Sequence, residues 1–214
     1  MAWHALGLPA VHASASRHWD EVYATQGPEQ VSWHQPEPHV SLELIEALEL
    51  PWDAVVIDVG GGSSTLASHL IRRGYSDVTV LDVSPAALAL ATPRGDQAAV
   101  QLVQCNVLNW VPTRAYDLWH DRALFHFLVN DADRRRYLER MNSAVVPGGS
   151  VIIATFSEDG PEQCSGLPTA RYTASQLASL FGPGFRTIVQ KREEHHTPSG
   201  KVQPFMWLVL KREV

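Results

Sequence analysis

Two short stretches carry residue types that can hold a cofactor. Asp58-Val59-Gly60-Gly61-Gly62-Ser63-Ser64 joins an apolar run to a segment with helical spacing, and Asp82 closes the next apolar run, 22 residues after Gly60. Glycines in such a turn let a ligand approach the backbone. The N–H groups that open the following helix carry about half a positive charge, which favours a carboxylate or phosphate. A carboxylate at the end of the second strand can accept both hydroxyl hydrogens of a ribose. Taken singly, the glycines make only a tight turn and Asp82 only caps the helix opened by Ser84-Pro85. Together, at this spacing, they describe a nucleoside-containing cofactor. A dinucleotide G-x-G-x-x-G pattern would need glycine at position 65, where the chain has Thr65, and this argues against a nicotinamide or flavin.

The elements that would position these residues alternate between strand and helix. Residues 54–59 and 78–82 are short, nearly continuous apolar runs, as strands buried on both faces require. Between them a helix is predicted over 63–73, capped by Ser63 or Ser64 and closed by Gly74. Strands at 100–105 and 116–120, a helix at 131–143, a turn at Pro147-Gly148-Gly149 and a strand at 150–156 continue the alternation, which implies a parallel sheet covered by helices on both faces. A helix over 173–181 follows, then strands at 185–192 and 202–211 joined by a turn and so antiparallel. The predicted fold class is α/β: a doubly wound, mostly parallel seven-stranded sheet with a C-terminal antiparallel hairpin. Residues 1–214 read as one domain, in which 1–50, with an amphipathic helix around 40–48, cover the carboxyl edge of the sheet and 51–214 form the core.

On these residues the chain resembles the class I, seven-stranded methyltransferases that use S-adenosylmethionine and release S-adenosylhomocysteine. The resemblance spans about residues 18–212 and rests on Asp58-Val59-Gly60-Gly61-Gly62, on Asp82, on Pro147-Gly148-Gly149 and on the terminal hairpin. It implies that Asp58 and the glycine loop lie against the methionine portion, that Asp82, with Val83 beside it, holds the ribose, and that Asn106 and Val107 meet the adenine. The Asn106 position is commonly aspartate in the family; an amide oxygen can still accept from the adenine amino group. His18-Trp19-Asp20-Glu21-Val22-Tyr23, Ser32-Trp33-His34-Gln35, the run Trp119 to Leu128 and Cys164-Ser165-Gly166-Leu167-Pro168 look like a small stand-alone bacterial subgroup. The opening is also similar to lysine methyltransferases of translation elongation factors.

Methyl transfer needs a positioned nucleophile more than a strong base. The loop after the fourth strand begins beside the expected methyl position and holds Asp121, Arg122, Phe125 and His126. His126 is the candidate to orient or deprotonate the acceptor; its alternative is packing within a helical turn. Asp121 is a candidate for catalysis and cofactor contact, or else pairs structurally with Arg122. Trp33 either closes over the cofactor or anchors its segment to the sheet. Glu193-Glu194-His195-His196 reads as a solvated loop, and Cys164 as a cavity-lining or packing thiol. His120, His126, His195 and His196 form no ligand run, so no metal is expected.

A chain of 214 residues, 45% hydrophobic and 19% charged, suits a globular protein, and its net charge of −6 supplies no broad positive field for nucleic acid. No apolar run reaches the roughly 18–20 residues of a membrane span, and residues 1–16 lack signal-peptide features, so a cytoplasmic location is expected. Cys105 and Cys164 are expected to be reduced. The acceptor reads as a small molecule or, alternatively, a protein lysine. A nicotinamide-dependent oxidoreductase and a cofactor-binding regulator without turnover are the readings of other classes.

Overall fold

The strand-helix alternation closes into one sheet in the computed structural model, which describes residues 10–91 and 100–214. The elements in chain order are α1 (Ala10–Thr25), α2 (His39–Glu46), β1 (Val55–Val59), α3 (Leu66–Arg72), β2 (Asp77–Asp82), α4 (Pro85–Leu88), β3 (Val100–Gln104) and β4 (Tyr116–Arg122). After a single 3₁₀ turn at Phe125–Phe127 come α5 (Asp131–Ala144), β5 (Val145–Phe156), a two-residue ribbon of β6 (Gln163–Cys164) and β7 (Leu167–Pro168), α6 (Ala174–Ser179), β8 (Phe185–His196) and β9 (Val202–Arg212). The main sheet runs β3-β2-β1-β4-β5-β9-β8, with β9 antiparallel to both of its neighbours. No helix among the described residues is long and apolar enough to cross a membrane.

Alternation along each strand sends successive side chains to opposite faces. Val56, Val78, Val80, Leu118, Ile152 and Trp207 pack toward α2 and α3, while Ile57, Leu81, Trp119, Val151 and Ile153 pack toward α5 and α6. Both faces are apolar, which is why β1 and β2 read as continuous hydrophobic runs. The same parity continues into the polar end of β4, where it decides which residues meet the site.

Several boundaries differ from the sequence expectation. The first crossover helix starts at Leu66 because the backbone turns through Gly60 (φ 70°) and Gly62 (φ 43°); its N-cap is Thr65, without a side-chain cap bond, in place of the expected Ser63 or Ser64, and the Ser64 hydroxyl accepts from the Leu66 N–H at 3.1 Å. The Pro147-Gly148-Gly149 turn lies inside β5, where the pairing with β4 shifts register between Tyr116 and Leu118. Helix α1 lacks a regular apolar stripe and was not anticipated; its Asp20 accepts from the Ser84 hydroxyl at 2.6 Å and from the Ala86 N–H, which docks it on the start of α4. Residues 193–196 belong to β8 rather than to a solvated loop. Glu193 accepts from Trp207 Nε1 at 2.8 Å, and His195 is buried against the Ser32 carbonyl at 2.7 Å. These polar side chains hold the N-terminal segment to the sheet, so they are patterned for a partner, not for water.

Candidate active site

The site forms where β1, β2 and β4 end. Gly60 donates to the Leu81 carbonyl at 2.7 Å and Ser64 to the Gly61 carbonyl at 2.6 Å, so the glycine loop folds back onto its own strand pair. A Cβ at Gly60 would stand 2.6 Å from Leu124 Cδ1, and the positive φ there strains any other residue. A Cβ at Gly62 would come within 3.0 Å of Asp82 Oδ2 and 3.1 Å of the Tyr23 hydroxyl, so glycine keeps the space before the carboxylate open. Gly60→Ala is therefore expected to abolish measurable cofactor binding, with a melting temperature lower by several degrees, in a thermal-shift titration.

A cavity of about 460 Å³ begins at this loop. Gly60, Asp82, Val83, Asn106 and Val107 line it together with Arg122, His126, Phe156, Cys164, Gln203 and Phe205, and Trp19, Tyr23 and Trp33 line it from the N-terminal segment. A smaller recess beside it is lined by Asp58, Gly61, Ser63, His120 and Arg122, again with Trp33 above. The three aromatic side chains meet edge to face, Trp19 to Trp33 at 5.7 Å and Tyr23 to Trp33 at 6.0 Å between centroids. Trp33 thus both faces the cavity and ties its segment down, since its carbonyl accepts from Arg122 Nη1 at 3.0 Å.

Asp82 Oδ1 accepts from the Ser84 N–H at 2.8 Å. Burial pushes its carboxyl up to about 6, opposed by the N–H groups of Ser84 and Val83. Ribose hydroxyls donate more strongly to the carboxylate than to the protonated acid, so bound nucleoside would favour ionisation. Affinity for S-adenosylhomocysteine is expected to be level above about pH 7 and to weaken by up to about tenfold per unit below about pH 6. Calorimetric titration from pH 5 to 8 checks this; Asp82→Asn should flatten the profile. Asn106 Oδ1 accepts from the Leu108 N–H at 2.9 Å, which fixes the turn that brings Val107 and Leu108 to the cavity.

Parity sorts the run Trp119-His120-Asp121-Arg122. Trp119 and Asp121 turn toward α5; His120 and Arg122 turn toward the site. Asp121 is fully buried and accepts from the Tyr137 hydroxyl at 2.5 Å, from the Leu124 N–H at 2.9 Å and from the Phe125 N–H at 3.3 Å. It does not reach the cavity, and it makes no ion pair with Arg122, because adjacent residues of a strand point to opposite faces. Its carboxyl is pushed up to about 6 by burial. Asp121 instead fixes the tight turn in which Ala123 takes φ 74°, a conformation that costs a non-glycine residue about 1 kcal/mol or more.

On the site face, parallel pairing sets Asp58 opposite His120. Asp58 Oδ1 lies 2.7 Å from His120 Nδ1, and His120 Nε2 lies 3.0 Å from the Ser41 hydroxyl of α2, all three side chains being buried. Asp58 Oδ2 has no hydrogen-bond partner among the described residues. His120 and Ser41 were not anticipated, although an even-numbered residue opposite Asp58 on a neighbouring strand was the available signal. His126 is fully buried, stacked on Phe156 at 4.4 Å, and neither ring nitrogen has a partner among the described residues. Burial, with the charge of Arg122, drives its pKa down to about 3, so the ring stays neutral. Arg122 is half-buried, with Nε and Nη2 out of contact with solvent, and its pKa is shifted down by desolvation, opposed by Glu193 and Asp58. Cys164 lies on β6, 3.8 Å from the Ser32 hydroxyl; burial raises its thiol pKa. Both cysteines are free. Among the described residues no cluster of His, Cys, Asp and Glu is arranged to hold a metal.

A sheet of order 3-2-1-4-5-9-8, a glycine loop with room before a carboxylate, and one cavity lined by both define an α/β nucleoside-cofactor enzyme of the seven-stranded methyltransferase architecture. Comparison with known proteins agrees. Residues 56–149 match the family described as "Methyltransferase domain". The chain is 30% identical over 198 residues to EEF1A lysine methyltransferase 2 of Mus musculus, covering 85% of this chain and 74% of the mouse protein. It is 24% identical over 159 residues to the protein of that name from Danio rerio, covering 70% of this chain and 62% of the zebrafish protein's length. The fold superposes with a TM-score of 0.68 on Burkholderia thailandensis 1,6-didemethyltoxoflavin-N1-methyltransferase, 21% identical, covering 100% of this chain and 94% of that one. The chain belongs to the class I S-adenosylmethionine-dependent methyltransferases.

The residues present fit that cofactor. Glycine at 62 leaves room before Asp82, and Asp82, Val83, Asn106 and Val107 line the same cavity. When bound, S-adenosylmethionine supplies a methyl group already activated by its sulfonium, and the protein's work is to orient an acceptor and exclude water.

Proposed function

We propose that the chain transfers this methyl group to a small-molecule acceptor held in the same cavity, with residues 1–214 acting as one unit and 1–50 as its cover. The observation that carries the reading is the continuity of the cavity from Asp82 to His126 beneath Trp19, Tyr23 and Trp33. Such a chamber surrounds a compact ligand and keeps water from the reacting atoms. Asp58, the glycine loop, Asp82, Val83, Asn106 and Val107 hold the cofactor in this reading. His126, neutral and with both ring nitrogens unpartnered among the described residues, lines the cavity as the group that would meet the acceptor. With a pKa near 3 it accepts a hydrogen bond and orients the nucleophile without storing the proton. A lysine acceptor is the second reading, supported by the identity with the mouse enzyme named for that reaction.

Titration with S-adenosylmethionine and with NADH tests the cofactor, and binding of the dinucleotide alone would overturn the proposal. Turnover on small acids, phenols and thiols against an elongation-factor lysine tests the acceptor class. His126→Phe is expected to lower kcat about tenfold or more with cofactor affinity within about twofold of wild type. Wild-type turnover should show no imidazole inflection between about pH 6 and 8.

A further inference from the structure

Arg122 carries a charge without a bonded counter-ion among the described residues. Its Nη1 is used by the Trp33 carbonyl, but Nε and Nη2 are buried with no hydrogen-bond partner among the described residues. Those two nitrogens form one edge of the guanidinium, whose parallel N–H groups match the two oxygens of a carboxylate. The nearby carboxylates make no hydrogen bond to it: Glu193 accepts from Gln35 and Trp207, and Asp58 meets His120 through Oδ1 while its Oδ2 has no partner among the described residues. Phe205 supports the guanidinium face at 5.0 Å, and Arg122 lines the cavity together with His126 and Phe156. Burying a cation without a bonded anion is costly in so apolar a setting, and an arriving anion recovers that cost.

We propose that the free Nε/Nη2 edge of Arg122 binds a carboxylate of the acceptor, so that the substrate is a small organic acid with a flat apolar body. The inference rests on the reading of this cavity as the methyl-transfer site and narrows its substrate class. Phe156 and Phe205 supply walls for the body, and His126, whose ring nitrogens have no partner among the described residues, lines the same cavity. A lysine ammonium would meet a like charge here with little water to screen it.

Benzoate, benzamide and benzamidine are probes of one shape and three charges, to be titrated with and without S-adenosylhomocysteine. Wild-type protein is expected to bind benzoate about tenfold or more tightly than either other probe. Arg122→Met should remove the preference, Arg122→Lys should keep part of it, and affinity for S-adenosylhomocysteine should stay within about threefold. No preference for benzoate in the wild type, or a preference for benzamidine, overturns the proposal. So does an Arg122→Met that keeps the preference, or one that loses S-adenosylhomocysteine but not 5′-methylthioadenosine, which would assign the guanidinium to the cofactor's own carboxylate. Should Arg122→Met fail to fold in a thermal melt, the wild-type series and Arg122→Lys decide. A wild type that binds no S-adenosylhomocysteine would defeat the methyltransferase reading, whereas the benzoate series without nucleoside still tests the anion site.

Discussion

Asp121→Ala is expected to lower the free energy of unfolding by about 3–5 kcal/mol. Three donors lose their acceptor together. Trp119 Nε1 donates to the Tyr137 hydroxyl at 2.8 Å, which in turn donates to Asp121, and the Leu124 and Phe125 N–H groups close the turn on the other oxygen. All of this is inaccessible to water, so each stranded group loses its hydrogen bond without solvent to replace it. Tyr137→Phe removes only one link and should cost about 1–2 kcal/mol. Urea denaturation checks both values. A loss below about 1 kcal/mol for Asp121→Ala, with turnover abolished in a folded protein, would instead make Asp121 a catalytic residue and contradict its role as the prop of the turn.

The way Asp121 differs from its sequence expectation shows what could be read and what could not. Glycines before a helix and a carboxylate ending the next strand are local signals, because turn conformation and the end of a buried run are set by neighbouring residues. Their convergence at one cavity follows from adjacent parallel strands, and Gly60, Asp82, Val83, Asn106 and Val107 are all among the residues that line it. The fourth strand was read two residues short, so Asp121 and Arg122 looked like loop groups free to turn either way. Once β4 runs to Arg122, alternation sends Asp121 to α5 and Arg122 to the site. Residues 193–196 failed for a similar reason. Four polar residues resemble a loop unless the partners of Glu193 and His195 are known, and those partners, Ser32, Gln35 and Trp207, are distant in the chain, while Glu194 and His196 are exposed. Long-range pairing, not local pattern, placed them.

The second large effect belongs to the pair that parity brings together on the other face. His120→Ala is expected to cost about 3–5 kcal/mol, because it leaves the Asp58 carboxylate buried with neither oxygen hydrogen-bonded by a side chain. With the Nδ1 proton donated to Asp58, Nε2 accepts from Ser41, so the imidazole links β1 to α2 through β4. Asp58→Asn in the same background removes the stranded charge. The double variant should therefore be more stable than His120→Ala alone, with a coupling of about 2 kcal/mol or more in the four-member cycle. The loop feels the same change. Asp58 Oδ2 lies 2.5 Å from where a Gly61 Cβ would be, so the carboxylate backs directly onto the glycine turn. If the imidazole holds that carboxylate in place, His120→Ala should weaken S-adenosylhomocysteine binding about tenfold even well below its melting temperature. Ser41→Ala, which leaves the Asp58–His120 bond intact, should change it by less than about threefold. Equal losses in the two variants would mean that α2, and not the buried pair, sets the loop.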